Sequence, residues 1–420
     1  MKKKIIWLLI TCLMVAALVL TSCAQTSPEE EDVVTEEEVE PIKIGGPKSL
    51  TGWAAADHAE WFEGMELAVA EINTAGGLLG RPVELVLFDI GTQEPEKIIA
   101  AAEQLIGLDK VDAMITLYAG WGPDLEYFGR YDVPYIHAGS IQTMTDAVAA
   151  DPELRNVFMI DGYESEWAKP AAAQLLALPY DYPNKTYASI HADDIWSITY
   201  SSALGDWLTE EGWETVIDEQ FTYGNREWGP ILSKIRELNP GIINFEVVAV
   251  EEGVTFIQQF LENPTDSIIW TGYGGANPGY VDLLGEDING VMCSLWSYPL
   301  DTEKGNHFRE SYDKHFAKKL PILSAGGGYD AVNIWANAVE IAGDPSDYDA
   351  VCEALRTARY EGVLGWYYMP PPGQFAEYGD YADNLLPVTG GQYQDGKPTR
   401  LFTYTTPDAD NEFQLPPWIK

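Results

Sequence analysis

Phe62-Glu-Gly-Met65-Glu-Leu-Ala-Val-Ala-Glu-Ile72-Asn-Thr-Ala75-Gly-Gly-Leu-Leu-Gly80-Arg-Pro-Val83-Glu-Leu-Val-Leu-Phe88 is the stretch that decides the fold. Phe62, Met65, Leu67, Ala68 and Ile72 recur at helical spacing, so a helix is expected over Trp61 to Asn73. Ala75-Gly76-Gly77 and Gly80-Arg81-Pro82 stop that helix and turn the chain into a strand over Val83 to Phe88. Ile42 to Ile44 reads as the strand before it. Strand, helix and strand in succession make the unit from which helix-covered parallel sheets are built.

The unit repeats outward. A helix over Pro95 to Leu108 opens on proline and carries acids in its first turn, as helix starts prefer. Strands Ala113 to Leu117 and Pro134 to Ile136 bracket a short helix near Asp124 to Arg130, and Val157 to Ile160 follows. Helices Glu166 to Leu178, Trp196 to Glu211, Trp228 to Leu238 and Glu251 to Leu261 then alternate with strands Thr186 to Ile190, Glu214 to Phe221, Ile242 to Val247 and Ser267 to Thr271. Two such series imply two similar halves in an α/β chain. Helices at Glu303 to Lys318, Asp330 to Ala342 and Asp349 to Ala358 precede a Tyr-, Pro- and Gly-rich tail that reads as hairpins and loops. No tandem period marks a solenoid.

Ahead of this body, Lys2, Lys3 and Lys4 form a basic segment, Ile5 to Leu20 an apolar one, and Leu20-Thr21-Ser22-Cys23 closes it, the layout of an export signal over residues 1–22. The junction is similar to a bacterial lipobox, which implies acylation of Cys23 and an extracytoplasmic, membrane-anchored protein in the periplasm or on the outer face of the cell membrane. A retained membrane-spanning helix is the alternative, since about 17 apolar residues just span a bilayer. From Ala24 to Glu40 the chain holds eight acids and no aromatic residue. It cannot bury enough apolar area to offset ordering entropy, so residues 23–40 read as an extended acidic tether. The formal net charge of −41 argues against nucleic acid and anionic lipid surfaces as partners. Cys293 and Cys352, in the body of the chain, are either one disulfide or two buried thiols.

Ile42-Lys-Ile-Gly-Gly-Pro-Lys-Ser-Leu-Thr-Gly52, Gly64-Met-Glu-Leu-Ala-Val-Ala-Glu-Ile-Asn73 and Gly76-Gly-Leu-Leu-Gly-Arg-Pro-Val-Glu-Leu-Val-Leu-Phe-Asp89 share a pattern with Val133-Pro-Tyr-Ile136, Tyr329-Asp-Ala-Val332 and Gly390-Gly-Gln-Tyr-Gln-Asp-Gly396. Together they resemble the leucine/isoleucine/valine-type substrate-binding proteins of ABC transporters, which have the type 1 periplasmic binding protein fold. The resemblance implies two Rossmann-like lobes with parallel-sheet cores and three interlobe crossings. Lobe 1 would be roughly residues 41–160 plus 296–362, and lobe 2 roughly 161–295 plus 363–420. It also implies a small-molecule ligand and an ABC permease with its ATPase subunits as partners; a monomer without cofactor or metal, held at the membrane through Cys23, is expected beside it. Ligand would sit between the lobes, outside the carboxyl ends of the strands, and hinge closure would grip it.

Loops after the lobe 1 strands are therefore the candidate site. Ser49 to Trp53, Tyr118-Ala119-Gly120-Trp121-Gly122 and His137-Ala138-Gly139-Ser140-Ile141 are those loops. The family binds an amino acid's carboxylate and ammonium with small hydroxyls and backbone amides there, but Ala119-Gly120 and Ile141 stand where hydroxyl residues are common. Ser140 and the amides of Tyr118 to Trp121 are left as donors, with an ordinary turn hydroxyl as the alternative for Ser140. In lobe 2 the candidates are Glu164, Trp167, Trp196, Tyr273 and Glu246, the last as partner for a cationic group or as a solvated strand end. Trp53, Trp121, Trp167 and Trp196 then either wall one cleft or fill cores and interfaces. Trp196→Ala and Ser140→Ala are expected to weaken binding with little loss of fold.

His58, His137, His191, His307 and His315 show no metal-ligand spacing, and no nucleophile elbow or phosphate loop occurs. His137 is either a ligand contact or a structural histidine. The reading is a binding protein, not an enzyme: an ABC importer component that takes an amino-acid-like or hydrophobic or aromatic carboxylate solute. The alternatives are a binder of an amide or quaternary amine, and a ligand-sensing module for a membrane kinase or chemoreceptor.

Overall fold

The computed structural model describes residues 39–317 and 324–420. The export signal over residues 1–22, Cys23, nearly all of the tether and the Lys318 end of one expected helix lie outside the described residues. Among the described residues, no helix is long and apolar enough to cross a membrane.

The deciding stretch folds as a strand, a helix and a strand: β1 (Ile42–Lys48), α1 (Ala55–Thr74) and β2 (Val83–Asp89). The helix starts earlier than its apolar spacing indicates because Asp57 and His58, polar but buried, occupy its first turns. Next come α2 (Pro95–Ala101), β3 (Ala113–Ile115), α3 (Pro123–Tyr127), β4 (Tyr135–His137), α4 (Gln142–Ala150) and β5 (Val157–Met159). Residues Ala102–Leu108 continue α2 as a π-helical segment, so its far half is wider than an α-helix. Neighbouring strands pair in parallel in the order β2-β1-β3-β4-β5.

The second series is α5 (Glu164–Leu176), β6 (Thr186–Ala192), α6 (Ile195–Glu210), β7 (Glu214–Phe221), α7 (Gly229–Leu238), β8 (Ile242–Glu246), α8 (Val250–Leu261), β9 (Ile268–Thr271), α9 (Pro278–Leu284) and β10 (Met292–Ser294). Every residue of β8 and β9 is buried, as expected of central parallel strands covered on both faces, whereas β7 at the edge mixes exposed and buried positions. Then α10 (Glu303–Phe316), α11 (Ala325–Ala342) and α12 (Tyr348–Thr357) follow. Last are β11 (Tyr360–Glu361), β12 (Trp366–Tyr367), β13 (Thr389–Gln394), β14 (Lys397–Thr403) and β15 (Thr406–Pro407). The second sheet runs β15-β14-β13-β10-β9-β8-β6-β7, parallel from β10 to β7 and antiparallel through the tail strands. Short α4, α9 and β10 were not expected; none is long enough to display a period.

The chain passes between the two sheets three times. It leaves the first after β5, returns after β10 to lay α11 on α1, and re-enters the second at β13. The α1–α11 contact is backbone to backbone: a Cβ on Gly64 would lie 1.9 Å from the Ala325 carbonyl oxygen, and one on Gly328 2.0 Å from that of Trp61. Cys293 on β10 and Cys352 on α12 are both buried free thiols, which decides against the disulfide.

Gly64→Ala is expected to push α11 off α1. An overpacked core contact costs about 1–3 kcal/mol, and the better helix propensity of alanine returns up to about 1 kcal/mol. A urea-denaturation midpoint lower than wild type with an unchanged slope is the expected result; an equal or higher midpoint would show that the helices can separate freely.

Candidate ligand-binding cleft

Loops at the carboxyl ends of strands from both sheets meet around one cavity of about 20 Å³. From the first sheet come Leu117, Tyr118 and Trp121 after β3, Ala138, Gly139 and Ser140 after β4, and Asp161 after β5. From the second come Val248 after β8, Tyr273 after β9 and Trp296 after β10, with Trp196 from the first turn of α6 and Trp167 from α5. A space of that size holds about one water molecule. A solute with any body needs the walls to part.

Aromatic rings dominate those walls. Trp167 meets Trp196 at 5.4 Å and 78°, Trp296 at 5.6 Å and 63°, and Tyr273 at 6.3 Å and 69°. Trp196 meets Tyr273 at 5.7 Å and 65° while stacking on Tyr200, and Tyr118 lies 5.2 Å from Trp121. Edge-to-face pairs of this kind add about 0.5–1.5 kcal/mol each beyond area burial. Trp121 and Ser140 hold their wall positions with φ of 48° each, a left-handed backbone that costs a non-glycine residue about 1–2 kcal/mol.

Polar groups at the cavity are bonded to one another. Ser140 Oγ donates to Asp161 Oδ2 at 2.9 Å, the Gly162 amide to Asp161 Oδ1 at 3.2 Å, and the Tyr378 hydroxyl to the same oxygen. Ser140, expected as a donor to a carboxylate, spends its proton on an acid instead. Burial pushes Asp161 up to about 6 against the opposing pull of Tyr378, Ser140 and the Gly162 amide. Asp57 at the start of α1 accepts from the Tyr118 hydroxyl at 2.7 Å, the Tyr273 hydroxyl at 3.1 Å and Asn277 Nδ2 at 3.1 Å. This carboxylate ties the first sheet's α1 and β3 loop to the loop beyond β9 of the second sheet.

Of the residues expected at the site, Tyr118, Trp121, Gly139, Ser140, Trp167, Trp196 and Tyr273 line the cavity. Six others do not, each for a physical reason. Trp53 is 37% exposed and stacks on the outer face of Tyr118 at 5.7 Å. Ala119 and Gly120 are held away by Gln93, whose Oε1 accepts the Gly120 amide at 2.8 Å. His137 is a structural histidine: buried, held neutral with its basicity lowered to about 3 by burial, it accepts the Gly139 amide on Nδ1 at 3.0 Å and stacks on Tyr135. Glu164 accepts the Gln142 amide at 2.8 Å, and burial raises its carboxyl. Glu246 is no solvated strand end: wholly buried, it accepts the Gly272 amide at 2.5 Å and the Tyr273 amide at 3.0 Å, and burial pushes it up to about 8. Leu117, Asp161, Val248 and Trp296 were missed; the first three stand at the ends of strands visible in the sequence, whereas Trp296 follows β10, which is not.

Trp196 belongs to a helix and is 3% exposed, so Trp196→Ala leaves a void and costs about 3–5 kcal/mol of stability. Trp196→Phe is the milder probe of the wall. The Asp57 latch carries a pH signature. Burial raises its carboxyl from 3.8 to about 6, against the hydrogen bonds of Tyr118, Tyr273 and Asn277. The folded state therefore holds this proton more tightly than the unfolded state. The stabilisation is full below about 4 and is lost as pH rises through about 6, up to about 3 kcal/mol in all. Asp57→Asn, which carries no charge, should gain on wild type in thermal midpoint between about pH 4.5 and pH 7.5. A difference that does not change with pH would show that Asp57 stays ionised.

Residues 41–378 match the family model for the periplasmic binding protein. The Leu/Ile/Val-binding protein homolog 3 of Brucella melitensis is 24% identical over 363 residues, covering 85% of this chain and 92% of that protein. A solved structure from Silicibacter pomeroyi, assigned to a branched-chain amino acid ABC transporter, has a TM-score of 0.81 at 26% identity, covering 90% of this chain and 100% of that one. An ABC transporter solute binding protein of R. palustris in complex with benzoate has a TM-score of 0.71 at 19% identity, covering 89% and 99%. With its two parallel-sheet cores and a cleft at their strand ends, the chain belongs to the periplasmic binding protein family and has the type 1 fold.

Proposed function

We propose that the chain is the substrate-binding component of an ABC importer of the branched-chain amino acid type, anchored outside the cytoplasm by a lipid on Cys23. Solute is captured between lobe 1, roughly residues 41–160 plus 296–362, and lobe 2, roughly residues 161–295 plus 363–420. The observation that carries this reading is the cavity whose wall is shared by loops of both sheets. A wall of that kind gives a bound solute contacts in the closed form that the open form lacks, and a ligand shifts a two-state equilibrium only by such a difference. The Asp57 hydrogen bonds to Tyr118, Tyr273 and Asn277 favour the closed form on the protein's side. No bond of the solute is made or broken.

The wall also bounds the solute. Six aromatic rings with Leu117, Ala138 and Val248 match an apolar body, as in the side chains of leucine, isoleucine and valine named for the Brucella relative and in the benzoate of the R. palustris protein. Mass spectrometry of small molecules released from gently purified protein tests the reading. One solute in near-stoichiometric amount, which raises the thermal midpoint when added back, is expected; release of a chemically altered product on incubation would overturn it. For the anchor, Cys23→Ser should move the protein from the membrane fraction to the soluble fraction without changing its thermal midpoint.

A further inference from the structure

Resting on the reading of this cleft as the solute site, we infer that its solute is an organic monocation without a carboxylate, an alkylated or quaternary amine whose head group lies against Asp161 and the faces of the surrounding tryptophans. The charge on the wall points there first. Among the described residues, Asp161 is the single acidic side chain lining the cavity, and no Lys, Arg or His lines it. Two further buried carboxyl groups stand one hydrogen bond behind the wall: Asp57 accepts from the hydroxyls of Tyr118 and Tyr273, and Glu246 from the Tyr273 amide. All three carboxyl-bearing residues are at most 3% exposed, and among the described residues none of them forms an ion pair. Burial without a counter-charge is costly for a carboxylate, and a cationic guest supplies that counter-charge. A guest carboxylate would instead face the Asp161 carboxyl group, with no cation among the described lining residues to offset it.

The rings supply the second half of the argument. Trp167 stands nearly upright against Trp196 and Trp296, with centroids 5.4 and 5.6 Å apart, and Trp196 stands so against Tyr273 at 5.7 Å. Rings that meet near right angles at this spacing form a corner in which one small cation lies within about 6 Å of several ring centres. The cavity of about 20 Å³ must widen to admit any head group, so the rings and Asp161 meet the guest as the walls part around it. The chain's net charge of −41 favours approach of cations over anions.

Four probes titrated into the purified full chain, followed by tryptophan fluorescence and calorimetry, test this. They are choline, its uncharged carbon analogue 3,3-dimethylbutan-1-ol, leucine and benzoate. Choline is expected to bind at least about tenfold more tightly than the alcohol, as desolvated cation–π contact and a facing carboxylate require, and more tightly than leucine or benzoate. Asp161→Asn should then weaken choline about tenfold or more and leave the alcohol unchanged. An alcohol that matches choline, or tighter binding of leucine or benzoate, overturns the cation assignment and leaves solute capture standing. No response to any of the four, together with no small molecule released from the protein, overturns both.

Discussion

Helix α1 enters the cleft with an acid at its start, and the three side-chain hydrogen bonds that Asp57 accepts constrain everything around it. Tyr118 is fixed on one side and Tyr273 and Asn277 on the other, so the faces of two wall rings are set by one carboxyl group. The Ser324 hydroxyl donates to the Asp57 carbonyl at 2.8 Å, which couples the same turn to the start of α11. The close α1–α11 packing through Gly64 and Gly328 then makes helix, latch and cleft wall one mechanical piece. Rigid elements that carry site residues hold geometry better than free loops do.

Parallel sheets place the chemistry where it is. Strand carboxyl ends in both sheets point toward the same gap, and each loop that leaves a strand there delivers one or two side chains to it. Tryptophan and tyrosine are suited to such positions because they bury large area and still offer an N–H or O–H group. Trp167 shows the principle, with its ring in the wall and its Nε1 donating to Ser294 Oγ of β10 at 3.0 Å. The buried acids are the counterpart: hydrogen-bonded, uncharged in part by burial, and concentrated around one point.

Much of the fold was legible because long periodic elements announce themselves. The α1 stripe of Phe62, Met65 and Ala68 and the apolar runs of β8 and β9 needed no tertiary information. Helix α4 has Met144, Thr145 and Val148 as its buried positions, and β10 is Met292-Cys-Ser294, so neither shows a usable period. At the site, following strand ends located Tyr118, Trp121, Gly139 and Ser140. The same rule applied to β5 and β8 finds Asp161 and Val248, whereas Trp296 follows β10, a strand the sequence does not display. Asp57 was beyond reach because its partners lie 61, 216 and 220 residues further along the chain. Glu246 misled because its position at a strand end is visible in the sequence, while the two amides folded over it are not.

The two thiols have a consequence for where this chain can mature. Cys293 and Cys352 sit apart on a central strand and a helix, both buried, with their acidity suppressed by burial. Nucleophilic and oxidative chemistry need the thiolate, so these sulfurs are inert in the folded state. Among the described residues the native state therefore holds no covalent cross-link that an oxidant must form or a reductant could break.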